Sequence, residues 1–269
     1  GPPSLPRRLL VPAAAAGLWA AGWPGPAAAA GLRARLAQRD LTQLTSPIFN
    51  IPPREQAFPD WLEGTWAVEQ KFSGFGFPVL PQEKVGKEED VPGFKTCSII
   101  DLADVGKTPL GYEMRWVRER GAVVEDLPFN VASSVGAHLP KGNVSRVDYM
   151  PEKDPNRWSV YVSGSKNAER VEVFVNSRDS ELAQDNPDLF FTSEYRRQVT
   201  FSSRVLQGYN GNYQHFRIFK RLGDGSVRLN ILTASYLDPL SPLYFEAVDK
   251  PVVVFRHEAI LTRSAAVGG

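Results

Sequence analysis

The sequence has very few of the residues from which disulfides, metal centres and catalytic triads are built. Cys97 is its only cysteine, so a disulfide within the chain and a metal site made of cysteines are both excluded. Its three histidines, His138, His215 and His257, belong to no serine or aspartate motif of known spacing. We therefore predict no metal, no cofactor and no catalytic residue, and the sequence favours a non-enzymatic protein.

An excess of charge is also lacking, because 31 lysines and arginines stand against 30 aspartates and glutamates, for a formal net charge of +1. Residues 1–30 contain two arginines and no acidic residue, so their removal takes the net charge from +1 to −1. Binding to nucleic acid needs a concentrated basic surface. We therefore exclude nucleic acid as a partner.

Long apolar runs are missing, and the longest mild one lies near the N-terminus. Arg7 and Arg8 precede an apolar segment, residues 9–22, and small residues continue to Ala30. Such a pattern is typical of a cleaved export signal, and the arginine pair indicates the twin-arginine type. The segment is short for a transmembrane helix, so a membrane anchor is the weaker alternative. We predict an export signal over residues 1–30 and no stable membrane span after cleavage.

This N-terminal signal resembles the second half of a plastid bipartite signal, which directs proteins into the thylakoid lumen. The resemblance implies a chloroplast thylakoid lumen protein, and a bacterial periplasmic protein is the alternative. Residues 31–57 form a partly irregular lead-in, with a short helix predicted over residues 32–41 before a proline-rich stretch. Residues 264–269 are expected to be a flexible tail.

Alternating apolar and polar residues dominate residues 58–263, and such alternation predicts half-buried β-strands. The clearest is a hairpin that turns at residues 223–225, where two glycines permit positive φ. Residues 110–121 and 122–130 predict another strand pair, and the acidic residues 179–188 predict a long loop. We expect eight or nine strands in an all-β domain, arranged as an antiparallel up-and-down β-barrel.

The first predicted strand opens with Gly64 and Trp66, and this Gly-x-Trp resembles the lipocalin and wider calycin pattern. In that pattern the tryptophan closes one end of the barrel, and an arginine from the last strand packs over its ring. A large rigid ring fills the base, and the guanidinium gains a cation–π contact. The last strand offers Arg256 and Arg263 for this role, and the sequence does not decide between them. Trp61 is expected to pack from outside.

Six segments of the domain together resemble a known family. They read FPDWLEGTW, RVEVFVNSR, SEYRRQVTF, YQHFRIFKR, GSVRLNILTASYLDPLSPLYFEA and PVVVFRHEAILTR. The set resembles an uncharacterised family of plastid and cyanobacterial proteins and covers most of residues 58–263. The resemblance implies a domain of unknown function with a calycin barrel, and it supplies no ligand-binding or catalytic residue.

Three functions are compatible with such a barrel. The first is a non-enzymatic lumenal protein that binds a small apolar or amphipathic ligand, such as a pigment, lipid or quinone. The second is an interaction or assembly factor for a photosynthetic membrane complex, docking through the aromatic loops at residues 72–78 and 235–247. The third is a calycin-type isomerase or de-epoxidase, which needs an acid and a base. The candidates for these in predicted strands are Glu113, Asp126, Glu172, Glu194, His215 and Glu258.

Arginines are frequent in the predicted strands, and we expect most of them to face solvent. They are Arg115, Arg118, Arg196, Arg197, Arg217, Arg228 and Arg256. Several converging inside would suit an anionic or carboxylate-bearing ligand. His215 and His257 lie close to Arg217 and Arg256 in sequence. Because histidine titrates near neutral pH, we expect these two to make binding respond to pH between about 7.5 and 5.5.

Overall fold

The computed structural model describes residues 32–37, 53–85, 100–102, 109–139, 143–163, 168–203 and 209–264. The described strands are β1 (Gly64–Gly76), β2 (Leu110–Glu119), β3 (Ala122–Glu125), β4 (Asn143–Tyr149), β5 (Arg157–Ser163), β6 (Arg170–Leu182), β7 (Leu189–Phe201), β8 (Tyr209–Arg221), β9 (Val227–Tyr236) and β10 (Val253–Arg263). The described helices are α1 (Leu32–Ala37), α2 (Gln82–Val85) and α3 (Leu127–His138), with 3-10 turns at Asp60–Leu62 and Tyr244–Glu246. The predicted signal and Cys97 lie outside the described residues.

All ten strands belong to one antiparallel sheet that curls into a half-barrel. Its order is β3-β2-β1-β10-β9-β8-β7-β6-β5-β4, so every strand lies beside a neighbour in sequence and β10 returns to pair with β1. The expectation of a mostly β, antiparallel, up-and-down arrangement is confirmed at this level. The expected fully closed barrel is not formed by the described strands, because β3 and β4 are the two edges of the sheet.

Helix α3 lies between these edges and contacts both β2 and β4. The Asn130 side chain accepts a hydrogen bond from Arg115 N at 2.6 Å and donates one to Arg115 O at 3.1 Å. Ser133 Oγ accepts from Glu113 N at 2.9 Å. These side chains satisfy backbone groups of β2 that lie beyond the short β3, as a paired strand would.

The prediction of a strand over residues 122–130 is therefore wrong beyond Glu125. Asp126 caps α3 by accepting a hydrogen bond from Phe129 N at 3.3 Å, and Pro128 lies in the first turn. An acidic cap followed by proline in the first turn is a strong helix start. The local capping chemistry outweighs the alternation that precedes it.

The acidic stretch at residues 179–188 is strand in its first four residues, so the predicted long loop is shortened to residues 183–188. β6 continues to Leu182, and Asp179 and Glu181 lie opposite Ser193 and Phe191 of β7. Helix α1 packs beside this end of the sheet, where Glu181 accepts a hydrogen bond from Arg33 N at 3.2 Å. Acidic side chains are tolerated here because this edge of the β6–β7 hairpin is largely open to solvent.

The concave side of the sheet holds buried polar residues between two apolar layers. We call these residues, which include Glu194, Arg196, His215 and Arg217, the polar belt. The layer at the start of β1 contains Phe58, Leu62, Trp66, Trp116, Phe190, Phe219 and Leu261. The layer at the opposite end of β10 contains Leu80, Leu102, Tyr213, Leu237, Val253 and Phe255. The convex side is covered in part by α1, whose Leu32 packs with Phe191, Phe216 and Tyr236. Among the described residues, no helix is long and apolar enough to cross a membrane.

Candidate functional site

Trp66 lies at the bottom of the apolar layer and is only 1% exposed. Its indole Nε1 donates a hydrogen bond to Leu62 O at 2.8 Å. The Arg263 guanidinium lies over the indole, with Cζ 4.2 Å from the ring centroid. The two residues face each other because β1 and β10 pair Trp66 with Arg263. Arg256, the other candidate of the sequence, is exposed on the opposite face of β10.

Arg263 also explains the glycine of the Gly-x-Trp motif. Its guanidinium donates hydrogen bonds to the carbonyls of Glu63 and of Trp61, the latter at 3.2 Å. A Cβ added to Gly64 would lie 2.3 Å from Arg263 Nη1, and Gly64 has a φ of +115°. The positive φ calls for glycine at this position, and a Cβ there would displace the guanidinium from its present place. Trp61 is half-buried, and its Nε1 donates to Pro187 O at 3.2 Å.

The polar belt is the most unusual part of the interior, because it contains three buried arginines. The side chains of Arg196 and Arg217 are each 7% exposed, and that of Arg178 is 8% exposed. Arg178 was not among the arginines considered from the sequence. The other five, which are half-buried or exposed, are Arg115, Arg118, Arg197, Arg228 and Arg256.

Each buried arginine has a carboxylate partner. Glu194 accepts from Arg196 Nε at 2.8 Å and also pairs with Arg178. Asp101 accepts from Arg196 Nη1 at 2.5 Å. The remaining pair joins Arg217 Nη1 to Glu125 at 2.9 Å. Three cations therefore meet three anions, as a buried network requires if it is not to leave an uncompensated charge.

The arginines keep the Glu194 and Asp101 carboxylates ionised. Burial by itself would raise the pKa of Glu194, but Arg196 and Arg178 hold it well below its ordinary value. Burial opposes the Asp101 carboxylate in the same way, and the Arg196 guanidinium again keeps its pKa lowered. Neither group is therefore poised to exchange a proton near neutral pH.

His215 lies opposite Glu194 in the β7–β8 pairing and is buried in the same belt. Its pKa is lowered to about 3, chiefly by burial and also by Arg196 and Arg217, while Asp101 and Glu194 oppose this shift. Its Nδ1 lies 3.1 Å from Thr233 Oγ1. The expectation that His215 titrates between about pH 7.5 and 5.5 is therefore wrong, because a cation is disfavoured between two arginines. His257 is also buried, and its ring packs against Phe72 with centroids 5.3 Å apart.

A cavity of about 70 Å³ adjoins the belt. Its polar lining consists of Gln70, Asp101, Tyr112, Glu125, Asn130, Ser134, His138, Arg196, His215 and Arg217. Tyr112 Oη donates to Gln70 Oε1 at 2.5 Å, and burial raises the pKa of this phenol. The indole Nε1 of Trp158, which also lines the cavity, is buried and has no hydrogen-bond partner among the described residues.

The other acid–base candidates do not join this belt. Glu113 and Glu258 are exposed, Asp126 caps α3, and Glu172 pairs with Arg157 at 2.9 Å. The search of the described residues for a cluster of metal-ligating side chains found none. Of the six candidates, the structure brings together Glu194 and His215.

Sequence reasoning missed four contributors to the belt, namely Asp101, Tyr112, Glu125 and Arg178. Arg178 and Glu125 lie in predicted strands. The β-bulge between Val175 and Ser177 places Arg178 on the face of Val175, which simple alternation does not predict. Glu125 shares the parity of the buried Val123, so alternation in β3 was a signal that could have found it. Asp101 comes from the described segment 100–102, which lies in no strand. No sequence signal identified it.

The two predicted aromatic loops behave differently, and the first is mostly strand, because residues 72–76 belong to β1. Phe72, Phe75 and Phe77 are half-buried and pack against the apolar layer that contains Phe255. In the β9–β10 loop, residues 237–252, Leu240 and Phe245 are 89% and 86% exposed. The end of β1 and Phe77 thus complete the core, while the β9–β10 loop presents apolar side chains to solvent.

The fold and the interior define a mostly β domain with a curled ten-stranded sheet, a buried ionic belt and an exposed apolar loop. A family model described as a domain of unknown function (DUF6816) matches residues 51–265, so the chain belongs to that family. No curated protein and no solved structure matched the chain.

Proposed function

We propose that this protein is a non-enzymatic accessory factor that docks a protein partner through its β9–β10 loop. The observation that carries the proposal is the exposure of Leu240 and Phe245, which leave most of their apolar surface in water. Isolated apolar residues on a surface are ordinary, but two large ones on one ordered loop are typical of an interaction site.

The loop holds these side chains on an anchored backbone. Leu243 and Tyr244 pack against the apolar layer, and Ala247 is buried in it. Ser241 N donates to Asp238 O at 2.8 Å, and Ala247 N donates to Tyr244 O at 3.1 Å. An anchored loop loses little conformational entropy when it binds, which favours docking.

The interior supports this role over ligand storage. A site for a pigment, lipid or quinone normally has a volume of about 300–1,000 Å³, several times the cavity of about 70 Å³. Its lining also mixes apolar side chains with the charged Asp101, Glu125, Arg196 and Arg217, whereas sites for such ligands are lined mainly by apolar ones. An isomerase or de-epoxidase is less supported, because the buried carboxylates stay ionised and His215 stays neutral at physiological pH.

The proposal includes a calycin-like barrel and a place in the chloroplast thylakoid lumen. The barrel assignment is supported by the pairing of β10 with β1 and by the Gly64, Trp66 and Arg263 arrangement. The compartment is supported by the twin-arginine signal at residues 1–30, with the bacterial periplasm as the alternative. The partner in the lumen would be an exposed subunit of a photosynthetic membrane complex.

Binding to thylakoid complexes tests this function. Tagged protein is mixed with gently solubilised thylakoid membranes, and its migration with a membrane complex is followed on native gels. We expect Leu240→Ser with Phe245→Ser to abolish co-migration. Met150→Ser with Leu182→Ser, which removes two other exposed apolar side chains, is the matched control and should retain it. Equal co-migration of both double variants, or none for the wild type, would contradict the proposal.

A further inference from the structure

Asp101 differs from every other charged member of the polar belt described above. Arg178 lies on β6, Glu194 and Arg196 on β7, Arg217 on β8 and Glu125 on β3. Asp101 instead reaches the belt from segment 100–102, which is outside the sheet. Ile100 N donates to Gln198 Oε1 at 2.7 Å, and Leu102 is buried in the apolar layer. The Asp101 carboxylate thus comes from outside the sheet, whereas the strands supply the other charged residues of the belt.

The strands hold this carboxylate as they would hold a ligand. Arg196 Nη1 donates to Asp101 Oδ2 at 2.5 Å, and Tyr213 Oη donates to the same oxygen at 2.6 Å. Arg196 is itself fixed, because Glu194 binds its other nitrogens and the Trp158 ring lies 5.1 Å from its Cζ. A guanidinium and a phenol that converge on one oxygen make a preorganised carboxylate site.

We propose that Arg196 and Tyr213 form a carboxylate-binding site that the chain's own Asp101 occupies, and that a free small carboxylate takes the same site when the Asp101 side chain is absent. The ligand class is a monocarboxylate of one or two carbons. This inference is independent of the docking role of the β9–β10 loop.

Charge balance supplies the driving force. With Asp101 in place, three arginines face three carboxylates in the belt. Without it, Arg178, Arg196 and Arg217 face only Glu194 and Glu125, which leaves one buried positive charge. Such a charge is strongly unfavourable in a dry interior. His215 does not change this balance, since it stays neutral above about pH 3.

The site also has the shape and the donors for such a ligand. Beyond Cα, the aspartate side chain is an acetate group, so Asp101→Gly vacates the volume of acetate and Asp101→Ala vacates that of formate. The vacated space joins the cavity of about 70 Å³, which Asp101, Arg196 and Trp158 all line. Trp158 Nε1 in the same lining is buried and has no partner among the described residues, so the cavity holds a donor in addition to Arg196.

Chemical rescue tests this assignment on the full chain. Melting temperatures are measured for the wild type, Asp101→Gly and Asp101→Ala in sodium acetate, formate or chloride at equal ionic strength. Acetate should raise the Tm of Asp101→Gly by about 3–6 °C at ten times its Kd, and formate should act best on Asp101→Ala. The wild type should need at least about tenfold more acetate for any specific rise, because its tethered carboxylate competes.

Asp101→Asn is the matched control, since it removes the charge but leaves no space for a free anion. It should show no rise specific to carboxylates, and Arg196→Met added to Asp101→Gly should abolish the rescue. If Asp101→Gly does not fold in chloride, recovery of a cooperative melting transition in acetate is the expected result. Equal responses to chloride and to the carboxylates in both Asp101→Gly and Asp101→Ala, or a wild type as responsive as the variants, would overturn the proposal.

Discussion

Replacing Gly64 by alanine perturbs the Trp66 end of the curled sheet in two separable ways. Gly64 has a φ of +115°, which an alanine adopts only under strain. The new Cβ would also lie 2.3 Å from Arg263 Nη1 and would push the guanidinium away from the Trp66 ring. Gly74, in the same strand, has a φ of +131° with nothing within 4 Å of its added Cβ. Gly74→Ala therefore carries the strain without the collision.

The structure sets the expected magnitudes. Backbone strain of this kind costs about 1–3 kcal/mol, and this is the whole effect expected for Gly74→Ala. Gly64→Ala adds the loss of the Arg263 contacts, which are an exposed cation–π contact and two hydrogen bonds to the carbonyls of Glu63 and Trp61. Because Arg263 is exposed, these together add about 1–2 kcal/mol. We expect Gly64→Ala to cost about 2–5 kcal/mol.

Urea unfolding followed by tryptophan fluorescence measures these values. In an Arg263→Ala background, Gly64→Ala should cost no more than Gly74→Ala, because the collision has gone. The double-mutant cycle should therefore give a coupling energy of about 1–2 kcal/mol between Gly64 and Arg263. Additivity within about 0.5 kcal/mol, or equal costs for the two glycine variants in the wild-type background, would refute the role assigned to Arg263.

Two further predictions concern the polar belt. Arg196→Met should destabilise by about 3–5 kcal/mol, because it leaves the buried Asp101 without a cation and Glu194 with Arg178 alone, whereas Arg197→Met on the exposed face should stay within about 0.5 kcal/mol; similar costs in urea unfolding would contradict the buried network. His215 has a folded pKa of about 3 against an ordinary 6.5, so the unfolded chain binds the extra proton and stability falls as pH drops from 6.5 towards 3. His215→Gln should remove up to about 1.4 kcal/mol per pH unit of that slope between pH 6.5 and 4.5, and an unchanged slope would show that His215 titrates normally.

Most strands could be predicted from the sequence, because the turn residues and the alternation of apolar and polar residues agree over most of the domain. The turn at residues 223–225 joins β8 to β9 as predicted. Helix α3 was missed because its apolar residues do not follow a clear helical period, and its start depends on the Asp126 cap and Pro128. β4 was missed because Asn143–Tyr149 is a short edge strand with little apolar alternation.

The polar belt could not be predicted from the sequence, because β7 turns its polar residues towards the interior. Its inward residues include Thr192, Glu194, Arg196, Gln198 and Thr200, while Phe191 on the other face packs with Leu32 of α1. A period of two identifies two faces but does not say which one is concave. Because α1 covers the convex face in part, the apolar residues of that face are also buried, and alternation alone points the arginines outward.

Because alternation does not say which face of a strand points inward, the sequence could not decide whether Arg256 or Arg263 packs on Trp66. β10 is apolar on both faces, with Val253, Phe255 and Leu261 on one and Val254 and Ile260 on the other. Pairing with β1 resolves it, since Trp66 faces Arg263 and a residue of opposite parity cannot reach the same ring. Register is a property of two strands, so it follows only when a second strand is aligned with the first. Gly64 fits that register in the structure, because its φ of +115° and the Arg263 guanidinium beside it both favour glycine.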